Sequence, residues 1–520
     1  MGRRLLIGGA LLAVVLGVAA FVYYRSETEP IKKRGSAKVE FDASAEPNQA
    51  EGPARETPEP WPTFGYDLQR SKAAPYDHRP PFRRTWRIDA HDTIEFPPSA
   101  AYGNVYVAQQ KGVFIALNGR TGRKVFPKKR FKRCAASSPT IADGWVYQSY
   151  MHWAPCPQGA SNPTGFVTAI NARTGKERWR FKARPIESSP LLRKGVLYVG
   201  SWDHNVYAIS ARTGRKIWSF KTDGKVNTSA AYSRGRIFIA TDGGSVYALG
   251  ARTGRRVWRS QSNARFGSRE FFYAAPTVAY GRVFIGNTDG TMYAFGQKSG
   301  RLLWARPLGT YIYSSAAVYE QLVYVGTYDG QFLALDAATG DTKWQRTMPS
   351  AVHAPPVVMG GVVYATTCSS CGSAASRAVK MGKDSTTGFD ARNGRVRWRN
   401  NGGKYASAVI ADQDRVYFTG RSRVYALEPR KKNGGSRGGG QLAQGGKGTR
   451  AGQKKAARRR AARSKAARRK AARTQAARVK AARRKAARRR AARKRKRAAA
   501  RRDRGRRERP SRPTTLPRWW

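Results

Sequence analysis

From residue 61 to 430, short apolar stretches rich in Val, Tyr and Phe alternate with glycine-containing turns. "SSPLLRKGVLYVGSWDHNVYAI" shows the unit: a short strand, a turn, "VLYVG", a second turn, and "NVYAI". Such clusters between turns are a β-rich signature and predict short strands. Each unit ends in a Thr-Gly turn or a near relative, and a large aromatic residue follows after three more residues. Thr121-Gly122 leads to Phe126, Thr174-Gly175 to Trp179, Thr213-Gly214 to Trp218, and Thr253-Gly254 to Trp258. Ser299-Gly300 leads to Trp304, Thr339-Gly340 to Trp344, and Asn393-Gly394 to Trp398.

These aromatic residues lie 53, 39, 40, 46, 40 and 54 positions apart. Three strands before the turn and one after it, at such a period, describe one blade of a β-propeller. The glycine supplies the positive φ of a tight turn. The aromatic side chain, on the outer strand, is placed to dock between neighbouring blades. Burying ~150–250 Å² of one tryptophan stabilises by at most ~4–6 kcal/mol, so these residues are assigned a structural role and no ligand. Trp86 in "FRRTWRI" lies 40 residues before Phe126 with no three-strand unit ahead of it. "YASAVIADQDRVYFTGRSRVYALEP" has three strands and no fourth. Joining these two orphans predicts an all-β, eight-bladed ring of four-stranded blades without exposed sheet edges.

The motifs "DAATGDTKW" and "NARTGKERW", with the lead-in "WPTFGYDLQRS" at Trp61 to Ser71, resemble the pyrroloquinoline-quinone-like (PQQ-like) repeat propellers. The resemblance runs from Trp61 to about Pro429. It implies the propeller fold and leaves function open, because the family holds quinoprotein dehydrogenases, an outer-membrane assembly lipoprotein and anchored binding propellers. Its dehydrogenases hold the quinone with calcium, a vicinal Cys-Cys disulfide, a tryptophan floor and a catalytic Asp. No two cysteines are adjacent here, and Asp242, Asp289 and Asp329 lie in "TDGG", "NTDGT" and "TYDGQ". Those are hairpin-turn contexts, where Asp has a structural task. No catalytic residue, cofactor or metal is expected. His78, His91, His152, His204 and His353 lack ligand spacing, and the Cys368 to Cys371 pair has no second half of a zinc site.

In a four-stranded meander, the loop entering the first strand and the loop between the second and third strands share one face. Cys134, entering blade two, and Cys156, in that blade's long second-to-third loop, come within reach of one another. Cys368 and Cys371 share the corresponding loop of blade seven. Two local disulfides and an oxidising compartment are expected. Trp153, Trp202, His204 and Tyr328 also sit in second-to-third loops. Arg265, Phe266, Phe271, Phe272 and the run Lys128 to Arg133 sit in entering loops. Binding residues concentrate on loops carried by a rigid scaffold, so this is the candidate binding face for a protein or polysaccharide.

The ends of the chain change the picture. The 520 residues carry a net charge of +67. Residues 430–520 hold 38 Lys and Arg against 2 acids, so the other 429 residues, with 61 against 30, are basic as well. Residues 1–4 are a short basic start, and 5–24 an uncharged apolar run long enough for a hydrocarbon core of ~30 Å. Phe21, Val22, Tyr23 and Tyr24 at its exit favour an uncleaved signal-anchor over a cleaved peptide. Arg3 and Arg4 place the start in the cytoplasm, Arg25 and Lys32 to Arg34 argue the reverse, and the cysteines support a body outside. Residues 25–60, rich in Glu, Pro and Ala, read as a disordered linker. Residues 431–520 contain eight Ala-Ala-Arg units at a period of five. A five-residue step spreads charge all round a helix, so the tail is expected to stay disordered until an anion neutralises it.

The combined reading is a single-pass cell-membrane protein whose extracytoplasmic propeller, residues 61–430, is a non-catalytic binding or assembly scaffold at the envelope. Its tail would bind an anionic polymer: teichoic-type, acidic lipid or nucleic acid. A PQQ-dependent dehydrogenase and a cytoplasm-facing protein with a nucleic-acid-binding tail are the alternatives.

Overall fold

The computed structural model describes residues 31–45, 59–152, 164–262, 271–369, 371, 384–400 and 407–430. The apolar run 5–24, the tail 431–520, and Trp153, Cys156, Arg265 and Phe266 lie outside the described residues. No described helix is long and apolar enough to cross a membrane.

Eight sheets, each carrying four consecutive blade strands, form the eight expected blades. Blade three is representative: Leu191–Arg193 innermost, then Val196–Gly200 and Asn205–Ser210, with Lys216–Lys221 outermost. Its middle strands are mostly buried, while the outer strand "KIWSFK" alternates exposed and half-buried positions. The middle strands are accordingly near-continuous apolar runs, and only the outer strand alternates. Phe82–Asp89 pairs antiparallel with Arg423–Pro429, Trp86 opposite Ala426, so the first complete outer strand of the chain closes the last blade.

The Thr-Gly-x3-Trp motif is a joint between blades. Each tryptophan faces a small residue on its own third strand, as Trp218 faces Ala208 and Trp304 faces Ala294, with a bulge beside the pair. Its indole then lies over the turn glycine of the following blade. A Cβ on Gly214 would stand 2.7 Å from Trp179, and one on Gly340 2.9 Å from Trp304. The indole N–H donates to a carbonyl of that same blade: Trp179 to Ala211 (3.0 Å), Trp304 to Ala337 (3.1 Å) and Trp86 to Gly119 (2.8 Å). So the glycine is needed twice, for its positive φ and for the ring above it.

Gly195, in the first hairpin of blade three, separates these two needs. It has φ +74°, close to the +73° of Gly214, but a Cβ there meets nothing within 4 Å. Both Gly195→Ala and Gly214→Ala carry the left-handed cost of ~1–2 kcal/mol. Gly214→Ala is expected to lose a further ~1–3 kcal/mol through overpacking against Trp179. Denaturant midpoints of the two variants measure the difference, and equal losses would show that the ring contact contributes nothing.

Two joints depart from the pattern. Phe126 has no N–H to donate, and blade one's outer strand shrinks to Lys129–Arg130, although the ring still covers Gly175. Trp398 meets no turn glycine, because blade eight takes its outer strand from the other end of the chain. Phe82 and Phe418 pack on it instead, at 5.3 and 5.6 Å between ring centres.

The lead-in threads the axis of the ring. Carbonyls of Pro62, Leu68, Gln69, Ser71 and Lys72 accept the N–H groups of Ile141, Tyr232, Val278, Val318 and Val358 in turn. These belong to the innermost strands of blades two, four, five, six and seven. Ala73–Ala74 then pairs in parallel with Val357–Met359 of blade seven. Arg70, fully buried, donates to the carbonyls of Phe64, Pro190 and Ala230 and to the Thr63 hydroxyl. The segment is a plug.

Residues 31–45 depart from the disordered linker expected over 25–60. Lys33 forms a two-way bridge with Ala305 on the outer strand of blade five, and Gly35 donates to Thr339 O in blade six. Asp42 and Ala45 bind the backbone of Tyr280. The cause lies 240 residues away in sequence. Arg282 is buried and donates to Ser36 O, Val39 O and Glu40 O of this strap and to Ala337 O and Ala338 O of blade six, with Phe41 stacked 5.0 Å from its guanidinium.

Candidate functional site

A repeat position that varies from blade to blade points to the axis. In blades one and three to seven, the innermost strand is preceded by a buried apolar residue, a variable residue, and a small or Pro-containing run. The buried residues include Ile94, Ile186, Val226, Phe272, Ile312 and Val352. The variable residues after them are Glu95, Glu187, Asn227, Tyr273, Tyr313 and His353. The apolar residue anchors the loop in the blade, so its successor turns inward. Serines tie adjacent loops together: Ser138 N–H donates to Ser189 Oγ, Ser189 N–H to Ser229 Oγ (both 2.9 Å), and Ala275 N–H to Ser315 Oγ (2.8 Å).

These six variable side chains line one axial cavity of ≈ 50 Å³, whose wall also includes Phe64 of the plug and Phe96. The Tyr273 hydroxyl donates to Glu187 Oε1 at 2.5 Å, and Trp202 Nε1 to Glu187 Oε2 at 3.1 Å. Burial, with Glu95 adding like charge, pushes the Glu187 carboxyl up to about 7. Burial alone raises Glu95. Tyr273 is held well above its ordinary value, first by burial and then by the Glu187 carboxylate. Tyr313 packs 5.1 Å from Tyr273 and 4.7 Å from Tyr328, whose hydroxyl is bonded to His353 Nδ1. Burial pushes His353 down to about 4, so it is neutral at physiological pH.

The face expected from the sequence is the face that holds this cavity, but its occupants differ. Trp202 joins the site through Glu187, with Lys225 over its ring at 5.2 Å. Tyr328 is fully buried and supports the wall from behind. Phe272 is buried too, packing edge-on to Tyr293, so it is an anchor and not a contact residue. Phe271 lies at the margin, 6.5 Å from Tyr273. His204 is not gathered into the cluster. It occupies a turn position with φ 67°, and its carbonyl accepts from Thr222. In the run Lys128 to Arg133, Phe131 packs on Tyr150 at 4.7 Å.

Glu95, Glu187, Asn227, Tyr273, Tyr313 and His353 escaped the reading from loop composition. Aligning the blades on their innermost strands would have found them as the one variable column in a repetitive frame. Cys368 and Cys371 form a disulfide. Cys134 is disulfide-bonded as well, and His152 Nδ1 lies 3.6 Å from its sulfur.

The residues present do not fit a tricyclic quinone. Small-molecule sites span ~300–1,000 Å³, and this cavity of ≈ 50 Å³ holds a water or two. Within it the Tyr273 hydroxyl and the Glu187 carboxylate are bonded to one another. Among the described residues no group of three or more His, Cys, Asp or Glu side chains converges to hold a metal ion.

The profile of the outer membrane protein assembly factor BamB family matches residues 160–230, 202–311 and 306–503, together more than half of the chain. BamB from Moraxella catarrhalis superposes with a TM-score of 0.52 at 15% identity, over 69% of this chain and 100% of that one. The quinohemoprotein alcohol dehydrogenase ADHIIG from Pseudomonas putida HK5 gives 0.59 at 13% identity, over 76% and 85%. A europium-containing methanol dehydrogenase gives 0.58 at 12%, over 72% and 99%. At these identities the structures share the fold. No curated protein sequence matches the chain.

Proposed function

Because the chain belongs to the family of the outer membrane protein assembly factor BamB, we propose that it is a non-catalytic binding or assembly scaffold of the cell envelope. The observation that carries this reading is the axial column, in which one repeat position holds Glu, Asn, Tyr or His in six blades around a cavity too small for a cofactor. A scaffold whose rim mixes carboxylate, amide, phenol and imidazole groups on rigid loops is suited to recognising a shaped protein surface. The tied loops keep that rim preorganised, which lowers the ordering cost of association.

The remaining parts complete the proposal. Residues 5–24 anchor the chain in the membrane with the propeller outside, where the Cys368–Cys371 disulfide is stable. The tail 431–520 binds anionic polymer through charge alone.

The dehydrogenase alternative makes the opposite demand on the axial cavity. Titration of the full chain with pyrroloquinoline quinone and calcium is expected to give no stoichiometric binding and no dye-linked alcohol oxidation. A saturable quinone spectrum with turnover would replace the scaffold by an enzyme.

A further inference from the structure

The turns between third and outer strands carry charge that the fold does not use. Each turn has six positions, and the structure explains four of them. In blade two, the Asn171 side chain at the first position caps the N–H groups of Arg173 and Thr174. The Ala172 N–H at the second donates to Gly144 O. Thr174 Oγ1 at the fourth accepts from the N–H of Lys176. Gly175 at the fifth lies beneath the ring of Phe126. The third and sixth positions have no such task, yet both are Arg or Lys in blades one to five and in blade seven. In blades one to five, none of these side chains makes a hydrogen bond, ion pair or ring contact among the described residues. All of them are exposed.

Blade six is the exception that keeps the pattern. Its sixth position is Asp341, and Arg34 of the N-terminal strap is paired with it at 2.8 Å. The strap restores a guanidinium where the repeat lacks one.

These turns share one face of the disc, opposite the axial cavity, and follow its circumference. We propose that this turn face is a docking surface for an anionic lipid bilayer. A ring of charges on a flat face matches a planar array of headgroups. A single nucleic-acid strand is instead followed by a groove with stacking aromatics, whereas the large apolar side chains exposed on or beside this face stand singly: Tyr102, Val39 on the strap, and Ile217, Val257 and Val396 one or two residues after their turns. Chain length holds the propeller near the membrane without choosing a face. Only residues 25–30 separate the apolar run from the docked Ile31, and seven extended steps reach at most ~25 Å. If 5–24 is inserted, as proposed above, the propeller cannot leave the surface.

The test uses residues 31–430, which contain every strand of the closed ring, so neither the apolar run nor the tail contributes. One variant combines Arg173→Ser, Lys176→Ser, Arg252→Ser and Arg255→Ser on the turn face. A control removes equal charge from the outer strands and their far ends: Arg87→Ser, Lys182→Ser, Arg184→Ser and Lys221→Ser. Binding is measured by sedimentation with vesicles of phosphatidylcholine and 30% phosphatidylglycerol, with duplex DNA and soluble polyphosphate as further arms. At ~1 kcal/mol per basic residue near the surface, the turn-face variant is expected to lose on the order of 10²-fold or more, and the control about threefold or less. Equal losses in both variants, or none in the turn-face variant, would overturn the proposal. So would turn-dependent binding to DNA or polyphosphate without binding to vesicles. Because the probe lacks residues 5–24, failure here leaves the envelope-scaffold reading to stand or fall on the quinone titration.

Discussion

A chain lacking residues 61–90 is expected to lose the cooperative unfolding of the ring and to aggregate or be digested by protease. The deletion removes the strand Phe82–Asp89, leaving Arg423–Pro429 an unpaired edge and the ring open between its first and last blades. It also removes the plug, and with it the acceptors of five innermost-strand N–H groups: Ile141, Tyr232, Val278, Val318 and Val358. Each buried donor left without a partner costs ~1–3 kcal/mol. Five of them reach ~5–15 kcal/mol, the whole stability of a typical domain. Calorimetry and limited proteolysis of the deleted and full chains make the comparison. A single transition at an unchanged temperature would mean that the ring is closed by something other than Phe82–Asp89.

Arg282→Met is expected to cost on the order of 5 kcal/mol, since each buried acceptor left unpaired costs ~1–3 kcal/mol, and to release the strap. The Arg282 guanidinium is buried among carbonyls of Ser36, Val39, Glu40, Ala337 and Ala338, and no carboxylate contacts it directly. Burial pushes this arginine down to about 10, with Asp336 and Glu40 opposing, so at neutral pH it remains charged and holds all five acceptors. Methionine fills similar space but leaves those carbonyls unpaired. Arg34→Ala makes the contrast, because its pair with Asp341 is exposed and solvent screens it. Tryptic cleavage after Lys33 and Lys38, followed with time alongside the melting temperature, reads both effects. If cleavage accelerates in Arg34→Ala and not in Arg282→Met, the strap is held by its surface ion pair.

The same contrast bears on what sequence reasoning reaches. The Gly-x3-aromatic motif recurs in seven copies, so docking of the aromatic between blades was legible without coordinates, whereas its seat on the next blade's turn glycine was not. The outer strand of blade eight was legible too, since Trp86 and the strands ending at Pro429 each lacked what the other had. The axial column was visible in principle. It was missed because loop length and aromatic content were weighed in place of repeat register, and Tyr328 and His204 were chosen where Glu187 and Tyr273 meet.

The eight-bladed architecture, its closure and its overall basic charge were written in the chain itself, because they rest on periodicity, turn chemistry and composition. Those signals repeat within about one blade's length, so neighbouring residues are enough to carry them. The strap, the plug and the packed axis were decided in three dimensions. Ser36 and Arg282 are 246 residues apart, and Glu187 and Tyr273 are 86 apart. Neither pair has a spacing that marks it, and Glu, Pro and Ala in residues 25–60 look the same whether or not carbonyls there will be needed by a buried guanidinium. A polar group taken out of water must find its partner wherever the fold brings one, and that choice has no period to read.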